Sequence, residues 1–303
     1  MAISRKRSSV VQAMKNDGFG NKEIEEKLGL SAASVRRYLR DSKQLKHPKI
    51  LLVDIETSPV WVRVWGLWKQ RVPFQNVIKE WFMISWSAKW LYDSEIIGEC
   101  VTSDEAIARD DKRIVKSLWE VMNECDIIIA HNLLRFDLRK IMARFIQHNL
   151  LRPKPYRTID TLVQARKSFA FSSNSLDYLN SMFSLRLKED TDYDLWILCE
   201  EGDQESLDYM FFYNKSDVKA LEELFLKLRP YFVGVPNLGV YVEDTDPMCP
   251  LCLSKDIIED GNYTTGVSVF KSYRCLSCGG LSRGRESSLN KIKRRDLLVP
   301  VVR

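Results

Sequence analysis

Four acidic residues in three short motifs are the part of this 303-residue chain best equipped for chemistry. Asp54 and Glu56 stand in Leu51-Leu52-Val53-Asp54-Ile55-Glu56-Thr57. Asp137 closes His131-Asn132-Leu133-Leu134-Arg135-Phe136-Asp137, and Asp217 closes Tyr213-Asn214-Lys215-Ser216-Asp217. Carboxylates are hard oxygen ligands suited to Mg²⁺ or Mn²⁺. Two such ions about 3.5–4 Å apart make a nucleophile from water at neutral pH and relieve charge on a leaving oxygen. In this order and these settings, the four acids describe a pocket for two divalent ions and a scissile phosphate. A second metal signal lies downstream. Cys249-Pro250-Leu251-Cys252 and Cys275-Leu276-Ser277-Cys278-Gly279 are two C-x-x-C pairs separated by 22 residues. Four thiolates suit one tetrahedral Zn²⁺ with every position filled, a structural rather than catalytic site.

The elements that must position these groups follow from periodicity. Ile50 to Ile55 is an apolar run broken only by Asp54, as expected of a central buried strand. A buried carboxylate needs compensation, and alternation puts Asp54 and Glu56 on one face, close enough to share a cation. Further strands are expected in Trp61 to Trp68, Phe82 to Trp90 and Glu95 to Val101. A helix from Asp104 to about Asn123 follows, with Ser103 as its cap. A buried strand, Asp126 to Ala130, leads into His131-Asn132 and a helix from Asp137 to Gln147. Taken alone, Asp137 also suits a dipole-capping role at that helix start. Beyond Thr158-Ile159-Asp160-Thr161 the chain reads as mostly helical to about Leu228. The last long helix, near Glu205 to Leu228, sets Tyr213 and Asp217 four residues apart on one face, in a stripe with Tyr209 and Leu221 that core packing alone could also produce. Alternating strands and helices predict an α/β sheet with its functional residues at the carboxyl ends of strands.

Both ends of the chain carry separate modules. Three short helices are expected near the N-terminus: one from Ser9 with Val10, Val11 and Met14 inward, one near Asn21 with Ile24 and Leu28, and one from Ala32 to Asp41 after Gly29-Leu30-Ser31. This pattern is that of a helix-turn-helix, with Ser34, Arg36, Arg37 and Arg40 on the face that would meet DNA. A helical hairpin that merely packs, or that recruits a protein such as a replication polymerase, fits the same pattern. The cysteine pairs, with Gly261 and Gly266 as turn residues, predict a small β zinc ribbon, followed by the basic tail Lys291 to Arg295. Tyr263, Phe270 and Tyr273 suit either base stacking or the ribbon's own core. Cys100, Cys125 and Cys199 sit in apolar stretches as ordinary core residues. The expected domains are 1–45, 46–235 and 245–303.

Charge follows the same division. Residues 1–50 hold 12 Lys and Arg against 5 acids and residues 249–303 hold 10 against 5, whereas residues 51–248 hold 24 against 31. Basic ends suit a phosphate backbone and an acidic centre suits cations, although solvated surface would read the same way. No apolar run approaches the roughly 20 residues of a membrane span, and no apolar segment follows the polar start, so a cytoplasmic protein without a membrane partner is expected.

Residues 50 to about 230 resemble the DEDD superfamily of 3'-5' exonucleases on a ribonuclease-H-like fold, in the tyrosine-bearing (DEDDy) subtype. The blocks match in order: an apolar strand with Asp-x-Glu-Thr, His-Asn followed by Phe-Asp, and Tyr-x-x-x-Asp. Proofreading domains of DNA polymerases and RNase D-like enzymes share the arrangement. The stretches Thr158-Ile159-Asp160-Thr161-Leu162 and Ser175-Leu176-Asp177-Tyr178-Leu179 resemble free-standing phage and bacterial members; if the source is viral, the cytoplasm expected is the host's. One departure is Leu133-Leu134 where relatives often have a glycine after His-Asn. The resemblance implies that Asp54 bridges two Mg²⁺ or Mn²⁺ ions, that Glu56 and Asp217 complete the water-activating site, and that Asp137 supports the second ion. It implies that Tyr213, a poor base with a reference pKa near 10, orients the attacking water. It implies that Thr57, Asn132 and Phe136 contact the terminal nucleotide.

The expected activity is metal-dependent 3'-5' exonucleolysis of mainly single-stranded DNA, releasing nucleoside monophosphates. Two alternatives remain open at this point: an RNA-directed exonuclease, and a non-catalytic DNA-binding replication or regulatory accessory that kept the nuclease fold. The presence of all four acids favours an enzyme, since an anionic pocket has no use in mere binding of a polyanion.

Overall fold

The structure, a computed structural model, describes residues 11, 14, 19–35, 48–69, 71–185, 191–299 and 301. The chain divides into two compact units: Met1–Pro48 with Leu238–Met248, and Lys49–Asn237 with Cys249–Arg303.

In the first unit, helix α1 (Asn21–Leu28) starts at Gly20, whose N–H is held by the Glu23 carboxylate at 2.6 Å. It stops at Gly29, where a left-handed φ of 61° turns the chain. Residues 32–35 are again helical, begun by Ser31, whose hydroxyl accepts the Ser34 N–H at 3.2 Å. Val11, Ile24 and Val35 are fully buried, with Met14, Phe19, Leu28 and Leu30 packed on them. Much of the expected first helix and the third beyond Val35 lie outside the described residues.

The second unit is built on a five-stranded mixed sheet flanked by helices, the ribonuclease-H-like α/β architecture expected from sequence. Its strands are β1 (Ile50–Thr57), β4 (Met83–Trp90), β5 (Ile96–Cys100), β6 (Ile127–Ala130) and β7 (Arg157–Asp160), in the order β5-β4-β1-β6-β7. The first three pair antiparallel, while β1, β6 and β7 run parallel. β1 is central, so it is covered on both faces. Leu51, Val53 and Ile55 enter the main core, with Ile114, Leu118, Ile141 and Phe145 among its members. The opposite face carries Leu52, Asp54 and Glu56, and there the small buried Ser87 and Ser85 stand across from Asp54 and Glu56 on β4. β7 was not anticipated; of its residues Arg157, Thr158, Ile159 and Asp160 only the isoleucine is apolar, too little to read as a strand.

Two other expectations are corrected. The expected helix from Asp104 to Asn123 is two helices, α2 (Ser103–Ala108) and α3 (Lys112–Met122), separated by Arg109 at a left-handed φ of 56°. The cap of α2 is Thr102, whose hydroxyl accepts the Glu105 N–H while the Glu105 carboxylate accepts the Thr102 N–H, a reciprocal pair that Ser103 does not make. The break turns Asp111 inward. Its fully buried carboxylate accepts the Met83 N–H at 2.7 Å, pairs with Arg144 and meets His148 Nε2 at 2.6 Å. The expected strand Trp61 to Trp68 is also shorter. Only β2 (Trp61–Val62) forms, paired with β3 (Val77–Lys79), and the residues between leave the sheet. Alternating apolar residues find no facing layer there and stay exposed.

The remaining helices are α4 (Asp137–Gln147), α5 (Thr161–Ser168), α6 (Leu176–Met182), α7 (Tyr193–Glu200) and the long α8 (Gln204–Leu228). α8 packs on β1 and β4 with Tyr213, Asn214, Asp217 and Leu221 buried; Tyr209, expected in the same stripe, is 40% exposed. The ribbon is a three-stranded antiparallel sheet of β8 (Ile257–Thr264), β9 (Val269–Cys275) and β10 (Leu281–Ser287), followed by α9 (Lys291–Asp296) in the basic tail. No helix among the described residues is long and apolar enough to cross a membrane.

Candidate active site

β1 and α8 bring three of the four acids together. One carboxylate oxygen each from Asp54, Glu56 and Asp217 lies within 4.8 Å of the others. Asp54 and Glu56 are half-buried at the end of β1, and Asp217 is buried on α8. Asn214, one turn before Asp217, donates its amide to Asp54 Oδ2 at 2.6 Å and so orients that carboxylate across the strand-helix junction. Asp137, the first residue of α4, is also buried. It lines the same cleft without joining the close group.

That cleft has a volume of about 510 Å³. Besides the four acids it is lined by His131, Asn132, Phe136, Leu162, Arg166 and the Ser173–Leu176 stretch, among others. Asp160, off the lining itself, holds the turn that carries Asn132 into the cleft. It ends β7, caps α5 through the Leu162 and Val163 N–H groups, and accepts the N–H groups of Asn132 at 3.1 Å and Leu134 at 3.0 Å. The turn after β6 is thus pinned from β7. Asn132 takes a left-handed φ of 75°, whereas Leu133 after it does not, so the leucine side chain meets no backbone penalty there and is buried. His131 Nε2 donates to the Asn174 carbonyl at 2.8 Å and Nδ1 meets the Thr161 hydroxyl at 2.9 Å, which fixes the ring. Phe136 is 39% exposed, open to a flat partner. Lys140, one turn along α4 from Asp137, donates to Thr57 Oγ1 at 2.8 Å and lies over the Trp81 and Phe136 rings. Burial lowers its pKa, opposed by the charges of Glu80 and Glu56. Tyr213 is 2% exposed, edge-on to Trp196, and does not line the cleft.

The N-terminal expectations stand differently. Ser34 is half-buried and its hydroxyl accepts from Ser31 at 2.9 Å. Arg36, Arg37 and Arg40 lie outside the described residues.

Sequence motifs did not single out Asn214, Lys140, Asp160 or Arg166 as site residues. Arg166 is on the last turn of α5 with no motif around it, and among the described residues it is the one Lys or Arg on the cleft lining. Asn214 was visible only as the residue beside Tyr213.

The cleft's electrostatics fit a cation. Burial pushes the Asp137 carboxyl up from 3.8 to about 7, reinforced by the Asp160 charge and opposed by backbone N–H groups of Asp137 and Ile55. Its folded pKa lies above its unfolded value, so this group favours the metal-free fold below about pH 4, and that contribution is lost as pH rises through about 7. Asp137→Asn is therefore expected to stabilise the protein near pH 8 without divalent metal, on the order of 2–4 kcal/mol, and to have little effect near pH 4, where the unfolded-state carboxyl is itself largely protonated. Paired thermal melts at the two pH values test this, and an equal change at both would refute it. Saturating Mg²⁺ should cancel the gain at the higher pH.

A second group of candidate metal ligands, four cysteines, lies at the base of the ribbon. The sulfurs of Cys249, Cys252, Cys275 and Cys278 all lie within 4.8 Å of one another. Two similar knuckles present them: Leu253 N–H bonds back to the Cys249 carbonyl and Gly279 N–H to the Cys275 carbonyl, both at 2.9 Å. Leu253 and Gly279 each take a left-handed φ, 62° and 77°. The Cys252 thiol hydrogen-bonds Cys249 and lowers its pKa to about 5, while Cys252 is raised by the same contact. The four-sulfur donor set fits one zinc ion. Elsewhere, Cys125 and Cys199 are fully buried and Cys100 half-buried, and burial raises all three to about 12, as for inert core thiols.

A family model described as the RNase_H superfamily matches residues 96–229, which hold Asp137 and Asp217 but begin beyond Asp54 and Glu56. No curated protein matches the sequence. Among solved structures, the family B DNA polymerase from the hyperthermophilic archaeon Pyrobaculum calidifontis is similar at 15% identity and a TM-score of 0.44, over 60% of this chain and 25% of that one. The chain thus spans about a quarter of that polymerase's length. The family match and the sheet topology support a ribonuclease-H-like nuclease.

Proposed function

We propose that this chain is a metal-dependent 3'-5' exonuclease that hydrolyses phosphodiester bonds of single-stranded DNA and releases nucleoside monophosphates. The observation that carries this reading is the Asp54, Glu56 and Asp217 cluster in a cleft of about 510 Å³, with Asp137 beside it. Three carboxylate oxygens within 4.8 Å repel one another unless a cation stands between them. These four acids would hold Mg²⁺ or Mn²⁺, which when bound supplies activated water and charge relief on the leaving oxygen.

The chain's own residues do the rest. Asn214 holds Asp54 in place. Phe136 stacks on the terminal base, and Asn132, at the pinned turn, contacts the terminal nucleotide through polar atoms. Arg166 faces the phosphate as the arginine on the lining. Lys140 fixes Thr57 at the end of β1. The resemblance would give Tyr213, one turn before Asp217, the orienting of the attacking water, whereas here its ring packs edge-on against Trp196 off the cleft lining, so that role would require the ring to turn toward the cleft. A helix-turn-helix expected from the sequence of residues 1–45, and the zinc ribbon of residues 245–303, would hold the nucleic acid to the 46–235 nuclease domain.

The test is incubation of purified protein with 5'-labelled and 3'-labelled single-stranded DNA and RNA, with and without Mg²⁺. The 5'-labelled DNA should shorten stepwise while the 3'-labelled DNA yields labelled mononucleotide at once. Preference for RNA would replace the substrate, and internal cuts would replace the mode of attack. An inert protein that still binds DNA would leave a non-catalytic accessory.

A further inference from the structure

Between β1 and β4 the chain leaves the sheet as an arm, residues 58–80, whose stem is fixed and whose far part is bare. Arg109 clamps both ends of the stem, donating to Ser58 Oγ at 3.1 Å and to the Glu80 carbonyl at 2.7 Å. Arg109 also pairs with Glu200 at 2.9 Å, and Glu200 in turn accepts the Trp61 indole N–H at 2.6 Å. β2 and β3 close the stem, extended by the Arg63 N–H to the Asn76 carbonyl at 2.8 Å. Beyond it, Trp65 is 101%, Trp68 86% and Phe74 81% exposed. Large aromatic surface held in water on a rigid stem marks an interaction site.

Charge decides what kind of partner it fits. Residues 58–79 contain Arg63, Lys69, Arg71 and Lys79 and no acid, inside a central region where acids outnumber bases 31 to 24. Bare rings alternating with cations match a chain of flat bases on a polyanionic backbone. The stem also borders the cleft. Ser58 directly follows Thr57, and Trp81 at the other end shares Lys140 with Phe136 of the cleft lining.

We propose that the 58–80 arm binds single-stranded nucleic acid, with Trp65, Trp68 and Phe74 stacking on bases and Arg63, Lys69 and Arg71 on phosphates, to hold the strand whose end enters the cleft. The last clause rests on the nuclease reading; the binding does not.

The test uses the full chain. Binding of labelled oligothymidylate and oligouridylate of about 30 nucleotides is measured by anisotropy and by quenching of tryptophan fluorescence, in buffer free of both divalent metal and chelator. The Trp65→Ala/Trp68→Ala/Phe74→Ala variant should bind about 10- to 100-fold more weakly and lose most of the quench. Its hydrolysis of thymidine 5'-(p-nitrophenyl) phosphate, too short to reach the arm, should stay within about twofold of wild type, while KM for the long strand rises as the affinity falls. Changing Arg63, Lys69 and Arg71 to Gln should flatten the salt dependence of binding by a log-log slope of about 2. Wild-type affinity in the aromatic variant overturns the proposal, including when the variant instead loses a dimer or a protein partner. If wild type hydrolyses neither substrate yet the variant loses binding, the arm assignment stands and the nuclease reading falls.

Discussion

Asp54→Ala is expected to reduce hydrolysis of single-stranded DNA by about 10³-fold or more, equivalent to roughly 4 kcal/mol of transition-state stabilisation, in a protein that remains folded. Asp54 supplies one of the three clustered carboxylates and also accepts the Asn214 amide at 2.6 Å, so it ties the strand's acids to the helix that bears Asp217. Its removal therefore strips the cation site rather than loosening it. The cost to folding is small because the side chain is half-buried and one of three neighbouring negative charges disappears. Melting within a few degrees of wild type, together with undiminished binding of single-stranded DNA, separates lost chemistry from lost structure. Substantial residual hydrolysis would place the reaction elsewhere in the chain.

Loss of zinc is expected to unfold the ribbon outright while leaving the five-stranded sheet cooperative. Among the described residues from Cys249 onward, only Cys249, Cys275 and Gly280 are buried. Three strands whose side chains otherwise face water have no apolar core to offset the entropy of ordering them. Structural zinc in such modules supplies on the order of 10–16 kcal/mol of apparent binding energy, which bound to these four sulfurs would be folding energy. Cys249→Ser/Cys275→Ser removes one sulfur from each knuckle. Limited trypsin digestion should then cut at Lys271, Arg274 and Arg283, which β9 and β10 hold in wild type, while residues 49–237 keep their thermal transition. Elemental analysis should find one zinc per wild-type chain. A metal-free wild-type ribbon, or equal trypsin resistance in the variant, would remove the metal from this account.

Local sequence carried a good deal of this architecture. The apolar run around Asp54 made a central strand with two acids on one face, because strand alternation and burial are properties of adjacent residues. Helix α4 and the long α8 were legible for the same reason, as was the C-x-x-C spacing. Where the pattern misled, a distant group was the cause. The helix expected from Asp104 breaks because Asp111 is needed as acceptor for Met83 and as partner of Arg144 and His148, residues far away in sequence. The strand expected at Trp61 stops after two residues because no layer faces the rest.

The sequence by itself determined which residues could serve as hard and soft metal ligands and the periodicity of the elements that bear them. Tertiary structure alone decided distance and environment: that Asp217 comes within 4.8 Å of Asp54 and Glu56, that Asn214 and Asp160 hold the strand and turn in place, and that Asp137 is buried deeply enough to keep its proton near neutrality. It also decided that an apolar-looking stretch after Thr57 would be an exposed arm. The physical reason is the same in each case: periodicity is set over a few neighbouring residues, whereas desolvation, charge repulsion and hydrogen-bond reach depend on groups that only chain folding brings together.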